Sequence, residues 1–163
     1  MGTWLGWRHY LARDYDAAVG QYRRTLELDP NFAPTRLVLG QAYEQQGRMA
    51  DAVAQLEQAE RLARGSPLYV AALAHAHAGA GRRADAEQAL RRLMQRSQGQ
   101  YAPPVQIAIM QAGLGHTNDA IEWLEQGIAE RSAGMVWIKQ DPRFDPLRHD
   151  ARFQDIVRRI RFP

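Results

Sequence analysis

Five histidines, a scatter of carboxylates and two glycine doublets are the residues of this 163-residue chain whose types could do chemistry. His75 and His77 stand two apart, and on a helix that spacing turns them to different faces, so they cannot share a metal as an i, i+4 pair could. His116 and His149 lie in turn-like sequence, and none of the five has an evident nucleophile beside it. Gly79-Ala80-Gly81 and Gly113-Leu114-Gly115 are glycine-rich, but they fall where helices should end, whereas a phosphate loop follows a strand and precedes a helix. The chain has no cysteine, which removes a disulfide framework and a thiolate metal site. No catalytic residue, metal ligand or cofactor is therefore expected, and the search moves to surfaces that bind.

The elements that would carry such surfaces are set by a repeat. Leu5-Gly6, Leu39-Gly40, Leu73-Ala74 and Ile107-Ala108 recur every 34 residues, each followed twelve residues later by Ala18, Ala52, Ala86 or Ala120. A unit of that length holds two short helices and two turns and cannot bury its apolar face alone, so neighbouring copies must stack. Tyr22, Leu56, Leu90 and Leu124 keep the same phase, as do Gly47, Gly81 and Gly115, with Arg13 the departure. Glycine there suits the left-handed residue that ends a helix. The small residues at 6, 40, 74 and 108 are expected to meet the recurring alanines where the two helices come closest. Asp51, Asp85 and Asp119 fall at the start of second helices, where they complement the macrodipole.

Helices are expected over Trp4 to Leu11, Tyr15 to Leu28, Phe32 to Gln46, Met49 to Ala63, Leu68 to Ala80, Arg83 to Arg96, Pro103-Pro104 to about Leu114 and Thr117 to Arg131. Asn31, Ser66 and Thr117 are placed to cap, and Ser97 to Ala102 reads as a polar linker. Past Gly134 the period stops. Met135 to Ile138 is a short apolar piece, Asp141-Pro142 and Asp145-Pro146 punctuate a loop, and a final helix over Asp150 to Ile160 carries Phe153, Ile156, Val157 and Ile160 on one face. Such a helix is most simply a cap over the last repeat.

Leu39-Gly40, Tyr43, Ala52, Leu56, Ala59 and the closing Pro30 resemble the tetratricopeptide repeat. The aromatic position is His9 and His77 in two copies and Gln111 in the fourth, and a core histidine with its hydrogen bonds satisfied is expected at the first two. The ending, Lys139 to Phe153 with its Leu147-Arg148-His149-Asp150-Ala151-Arg152-Phe153 string, resembles repeat regions that close larger bacterial signalling proteins with a Ser/Thr kinase, nucleotide cyclase or winged-helix domain. The resemblance implies an all-α, right-handed superhelical solenoid of about four hairpins, over residues 1–32, 33–66, 67–100 and 101–133, with a capping segment at 134–163.

It also implies a concave groove on the first helix of each pair. Carried over by phase, the groove consists of Thr3, Trp7, Tyr10 and Leu11, then Leu37, Gln41, Glu44 and Gln45, then Ala71, His75 and Ala78, and finally Val105, Ile109 and Ala112. That surface suits a mostly apolar peptide or helix of a partner protein. Thr3 and Trp7 replace the lysine and asparagine of carboxylate-clamping relatives, which argues against capture of a C-terminal carboxylate. A second expectation is homodimerisation through Trp4 and Trp7 at the exposed first repeat. A third reading, disfavoured, makes Arg148, Arg152, Arg158, Arg159 and Arg161 a patch for nucleic acid or an anionic surface. Net charge is only +3, from scattered arginines. Apolar runs are too short for a membrane span, and the start Met-Gly-Thr-Trp lacks a basic segment leading into an apolar stretch, so a cytoplasmic protein is expected.

Overall fold

A computed structural model describes residues 2–96, 101 and 103–160. Of the linker expected over Ser97 to Ala102, only the exposed Tyr101 is among them, and Arg161 also lies outside. The chain is a solenoid of helical hairpins: α1 (Gly2–Leu11) with α2 (Tyr15–Leu28), α3 (Ala33–Gln45) with α4 (Met49–Leu62), α5 (Pro67–Gly79) with α6 (Arg83–Arg96), and α7 (Pro104–Gly113) with α8 (Thr117–Ala129). Two 3-10 turns follow, Ala133–Trp137 and Pro142–Leu147, and then α9 (Ala151–Arg159).

The turn inside each hairpin is built the same way four times. The N–H three residues past the helix end reaches back to a carbonyl five residues earlier, in Asp14 to His9 (2.9 Å), Arg48 to Tyr43 (2.9 Å), Arg82 to His77 (2.8 Å) and His116 to Gln111 (2.9 Å). The residue between must turn left-handed, and Gly47, Gly81 and Gly115 do so at φ near 72°, 77° and 77°. Arg13 adopts the same conformation at φ 62°, at a cost of roughly 1–2 kcal/mol for a side chain with a Cβ.

Helix starts differ from expectation. Pro34, Pro67 and Pro104 stand in the first turns of α3, α5 and α7, already lacking one N–H and holding φ near helical values, so side-chain capping there is dispensable. Phe32 rather than Asn31 precedes α3, Ser66 precedes α5 without a side-chain bond, and His116 rather than Thr117 precedes α8. Asp14 does cap α2, accepting from the Ala17 N–H at 3.2 Å.

Each core is shared between neighbours, as stacking requires. Tyr10, Tyr22, Leu39 and Tyr43 join the first two hairpins. Leu37, Leu56, Ala72 and Ala76 join the second to the third, and Ala74, Leu90, Ile107 and Met110 the third to the fourth. The close approach of paired helices is not small against small. A Cβ on Gly6 would stand 2.2 Å from the Tyr22 ring, and one on Gly40 would stand 2.5 Å from Leu56 and 3.2 Å from the Ala52 carbonyl oxygen. The glycines therefore make room for a large side chain one turn beyond the alanine.

His77 also departs from expectation. It is half-buried, and its Nδ1 is buried with no hydrogen-bond partner. Burial pushes its pKa below the ordinary 6.5, with Arg82 adding to the effect and Asp85 and Glu57 opposing it.

Two outcomes follow from this packing. Gly40→Val should lose about 1–3 kcal/mol in urea unfolding, because neither the Leu56 branch nor the α4 backbone can retreat freely. The His77 imidazole is neutral when folded and protonates more readily when unfolded, so its contribution is present above pH 6.5 and falls away below it. His77→Tyr, which restores the aromatic found at Tyr43, should flatten the stability profile measured between pH 7.5 and 5.5; an unchanged slope would contradict it.

Candidate partner-binding groove

The inner faces of α1, α3, α5 and α7 carry the predicted residues in rows, but the groove is not empty. After α8 the chain turns back through its two 3-10 turns and runs across the concave wall to the first hairpin. Trp137 sets its ring edge-on to Trp7 at 6.1 Å, and Trp7 in turn stacks on Tyr10 at 5.0 Å. Farther along, Asp145 accepts two hydrogen bonds from Arg13, at 2.7 and 2.9 Å, across 132 residues of sequence. Tyr10, Leu37, Gln41, Glu44, Ala71, Val105, Ile109 and Ala112 are buried, while Thr3, Trp7, Leu11, Gln45, His75 and Ala78 are half-buried. The groove expected to stand open is thus filled along its middle by the chain's own C-terminal segment.

At the centre lies a polar cluster drawn from the first three hairpins and this segment. Asp141 and Arg143, 4% and 6% exposed, form a forked pair with Nε–Oδ1 at 3.0 Å and Nη2–Oδ2 at 2.6 Å. The same Oδ1 accepts the Arg143 backbone N–H at 3.0 Å, starting the 3-10 turn in which Pro142 is the first residue. Burial pushes the Asp141 carboxyl up, yet the adjoining guanidinium outweighs this and holds it below the ordinary carboxylate range. Tyr10 beside the pair is pushed well above its ordinary value, first by burial and then by the Asp141 charge. Glu44 Oε1 meets His75 Nδ1, so two of the predicted polar groove residues bind each other. His77 points elsewhere, into a pocket between hairpins with Glu60 and Asp85. The charges of the cluster are spent on one another, and their chemistry is that of a fastening.

Asp141 and Arg143 were absent from the predicted groove. Their signal lay in a duplication: Asp141-Pro142-Arg143-Phe144 and Asp150-Ala151-Arg152-Phe153 stand nine residues apart. Both make the same clamp, since Asp150 accepts from the Arg152 N–H at 2.8 Å and from its Nη2 at 2.7 Å, and the two phenylalanines meet at 6.0 Å. Behind them Phe153, Ile156 and Val157 of α9, with Ile160 just past its end, cover α8, as expected of the cap. The four described arginines of the basic-patch reading are paired with carboxylates: Arg148 with Asp145, Arg152 with Asp150, Arg158 with Asp155, and Arg159 with Glu125.

What stays open is a recess of about 440 Å³ beside the crossing segment, between the start of α1, the starts of α3 and α5, and α7. Trp4, Leu68 and Trp137 form its exposed rim, with Trp4 72% exposed, and Val38, Tyr69 and Ile109 line the interior. Thr3 is occupied with Thr35, their hydroxyls 2.6 Å apart. Among the described residues no group of three or more potential ligands could hold a metal, and no helix is long and apolar enough to cross a membrane.

Comparison with known proteins agrees with this architecture. Residues 9–76 match the tetratricopeptide repeat family. No curated protein matches the chain. Among solved structures, the crystal structure of MamA is similar at 21% identity over 94% of this chain and 90% of that one, with a TM-score of 0.52, a likeness of fold.

The crossing segment should loosen in acid. Arg13 leads in holding Asp145 below the ordinary value of 3.8, and Asp141 is depressed too, so both contribute stability above that value that is lost as pH falls through and below it. The half-exposed Arg13 pair is worth at most about 1 kcal/mol, whereas breaking the buried pair by Arg143→Met leaves an unpartnered carboxylate and should lose roughly 3–5 kcal/mol. Denaturation of Asp145→Asn beside Arg143→Met checks the order; equal losses would show that the buried pair does not fasten the segment.

Proposed function

We propose that this array is a protein-interaction scaffold of the tetratricopeptide type, whose partner docks an apolar peptide or helix face on the aromatic-rimmed recess of the concave wall. In this reading residues 1–133 form the array and 134–163 form the segment that caps its end and crosses its groove. The observation that carries the reading is the recess itself: Trp4, Leu68 and Trp137 are exposed around a cavity with an apolar lining. Large exposed aromatics clustered at a concavity are what a partner's apolar anchors bury best. Pairing of the C-terminal arginines supports a protein partner over a polyanion, because among the described residues of that segment few cations are left to release counterions. The ending that resembles bacterial signalling proteins supports an assembly or sensory role within a regulatory protein.

Self-association is a second reading, favoured by Trp4 and its exposed neighbour Leu5. Trp7 contributes less to it than the sequence suggested, being stacked on Tyr10 and against Trp137.

Ile109 is a core residue at 2% exposure, so an aspartate there would unfold the array and test nothing about binding. Trp4→Ala with Leu68→Ser acts on the rim alone. Peptides selected by display on the intact chain should bind this double variant at least about tenfold more weakly, a change of about 1.4 kcal/mol, while the exposed Leu28→Ala variant, at a residue that does not line the recess, keeps full affinity. Undiminished binding by the double variant would remove the recess as the docking site. A dimer in light scattering that dissociates on Trp4→Ala would favour self-association instead.

A further inference from the structure

We infer that the recess takes a single bulky uncharged residue of the partner polypeptide, its side chain between Trp4, Trp7 and Trp137 and its peptide group hydrogen-bonded to the Gln41 amide. This rests on the docking reading above and narrows it to a residue class. Size comes first. A helix with its side chains is about 10–12 Å across, which a recess of about 440 Å³ cannot admit, so a partner inserts one bulky residue, side chain and adjoining peptide group together, and stays outside with the rest.

Gln41 supplies the second constraint. It borders the recess and is only 2% exposed, yet no hydrogen bond among the described residues engages its amide. Those amide atoms are also not among the fully enclosed ones that lack partners, so the small surface Gln41 keeps includes its polar end. Of the row it belongs to, Trp7 and Ile109 are apolar and His75 is taken by Glu44, which leaves Gln41 as the unengaged polar member of that row, far less exposed than Gln106 at the same recess. A nearly buried amide without a partner is unfavourable, and one donor beside one acceptor is the complement of a peptide group.

Charge is the third. Asp141 and Arg143 also border the recess, but each is spent on the other, and the free Arg143 Nη1 is enclosed away from solvent. An ionised ligand group would lose its water and find no free counter-charge.

The test uses the intact chain and four small probes: N-acetyl-tryptophanamide, N-acetyl-leucinamide, N-acetyl-tryptophan with its free carboxylate, and N-acetyl-lysinamide. Indole N–H resonances report directly, because Trp4, Trp7 and Trp137 border the recess while Trp123 packs in the cores of the last two hairpins and serves as reference. The two neutral apolar probes should shift the first three resonances saturably and leave Trp123 unmoved, with the carboxylate and the lysine probe binding several-fold more weakly. Gln41→Leu and the less branched Gln41→Met should each weaken the neutral probes about three- to tenfold, the worth of a hydrogen bond, without lowering the thermal midpoint. Equal binding of acid and amide, or full affinity in both Gln41 variants, would overturn the inference. So would probes that shift nothing while display-selected peptides still bind in a Trp4-dependent way, and in that case the docking reading would survive alone; loss of both would remove both.

Discussion

The structure depends on one buried ion pair. Asp141 and Arg143 lie against the inner wall with almost no exposure, and the segment that carries them determines whether the concave face is a groove or a core. Two opposite charges withdrawn from water gain little net stability even in a good fork, since desolvation consumes most of the attraction. Their effect is on position. The pair fits where it can be forked, capped and surrounded by Tyr10, Glu44 and His75, and a slip of the segment by one residue would leave a carboxylate facing apolar atoms. The matching clamp of Asp150 and Arg152 starts α9 at the surface, where the guanidinium stays half-exposed and reaches Asn118. One short motif thus serves once as a buried fastener and once as an ordinary helix start, and the difference between the two is burial.

That fastening explains the one irregular turn in an otherwise uniform series. Three hairpins turn on glycine, and the first turns on arginine, accepting a left-handed backbone that glycine would adopt without strain. The exchange is intelligible from Asp145. Only a long guanidinium at that point can reach the far end of the chain, and its contact closes the first repeat onto the last segment. A solenoid whose repeats meet only their neighbours unravels from its ends; here the two ends are tied.

The architecture was legible in the sequence because stacking repeats the same demands at a fixed interval. The period located eight helices to within a few residues, and the left-handed glycines were placed by phase alone. The details it missed are those in which a position answers to something outside its own repeat. Gly6 and Gly40 oppose Tyr22 and Leu56 because the contact is set by the size of a residue four positions past the recurring alanine. The groove rows were identifiable, but their burial was not, since Asp141, Arg143 and Asp145 lie beyond the periodic region and meet partners more than sixty residues away. Arg13 was visible as a departure without a reason, and Asp145 is the reason.

Filling the groove changes what binding there requires. An open tetratricopeptide-type wall offers a long surface and recognises a partner through many weak contacts, some made only after both sides have ordered. With the C-terminal segment in place, the wall is reduced to a recess whose sides come from all four hairpins and from the segment itself, Trp137 included. Its shape is then held by packing and by the tie from Arg13 to Asp145, so a partner meets a site already formed and loses little freedom on the receptor side. The same closure buries Tyr10 and Glu44 and leaves His75 engaged with Glu44. In the proposed reading recognition therefore falls to the tryptophans at the rim and to the nearly buried amide of Gln41, which the closed segment leaves facing the recess.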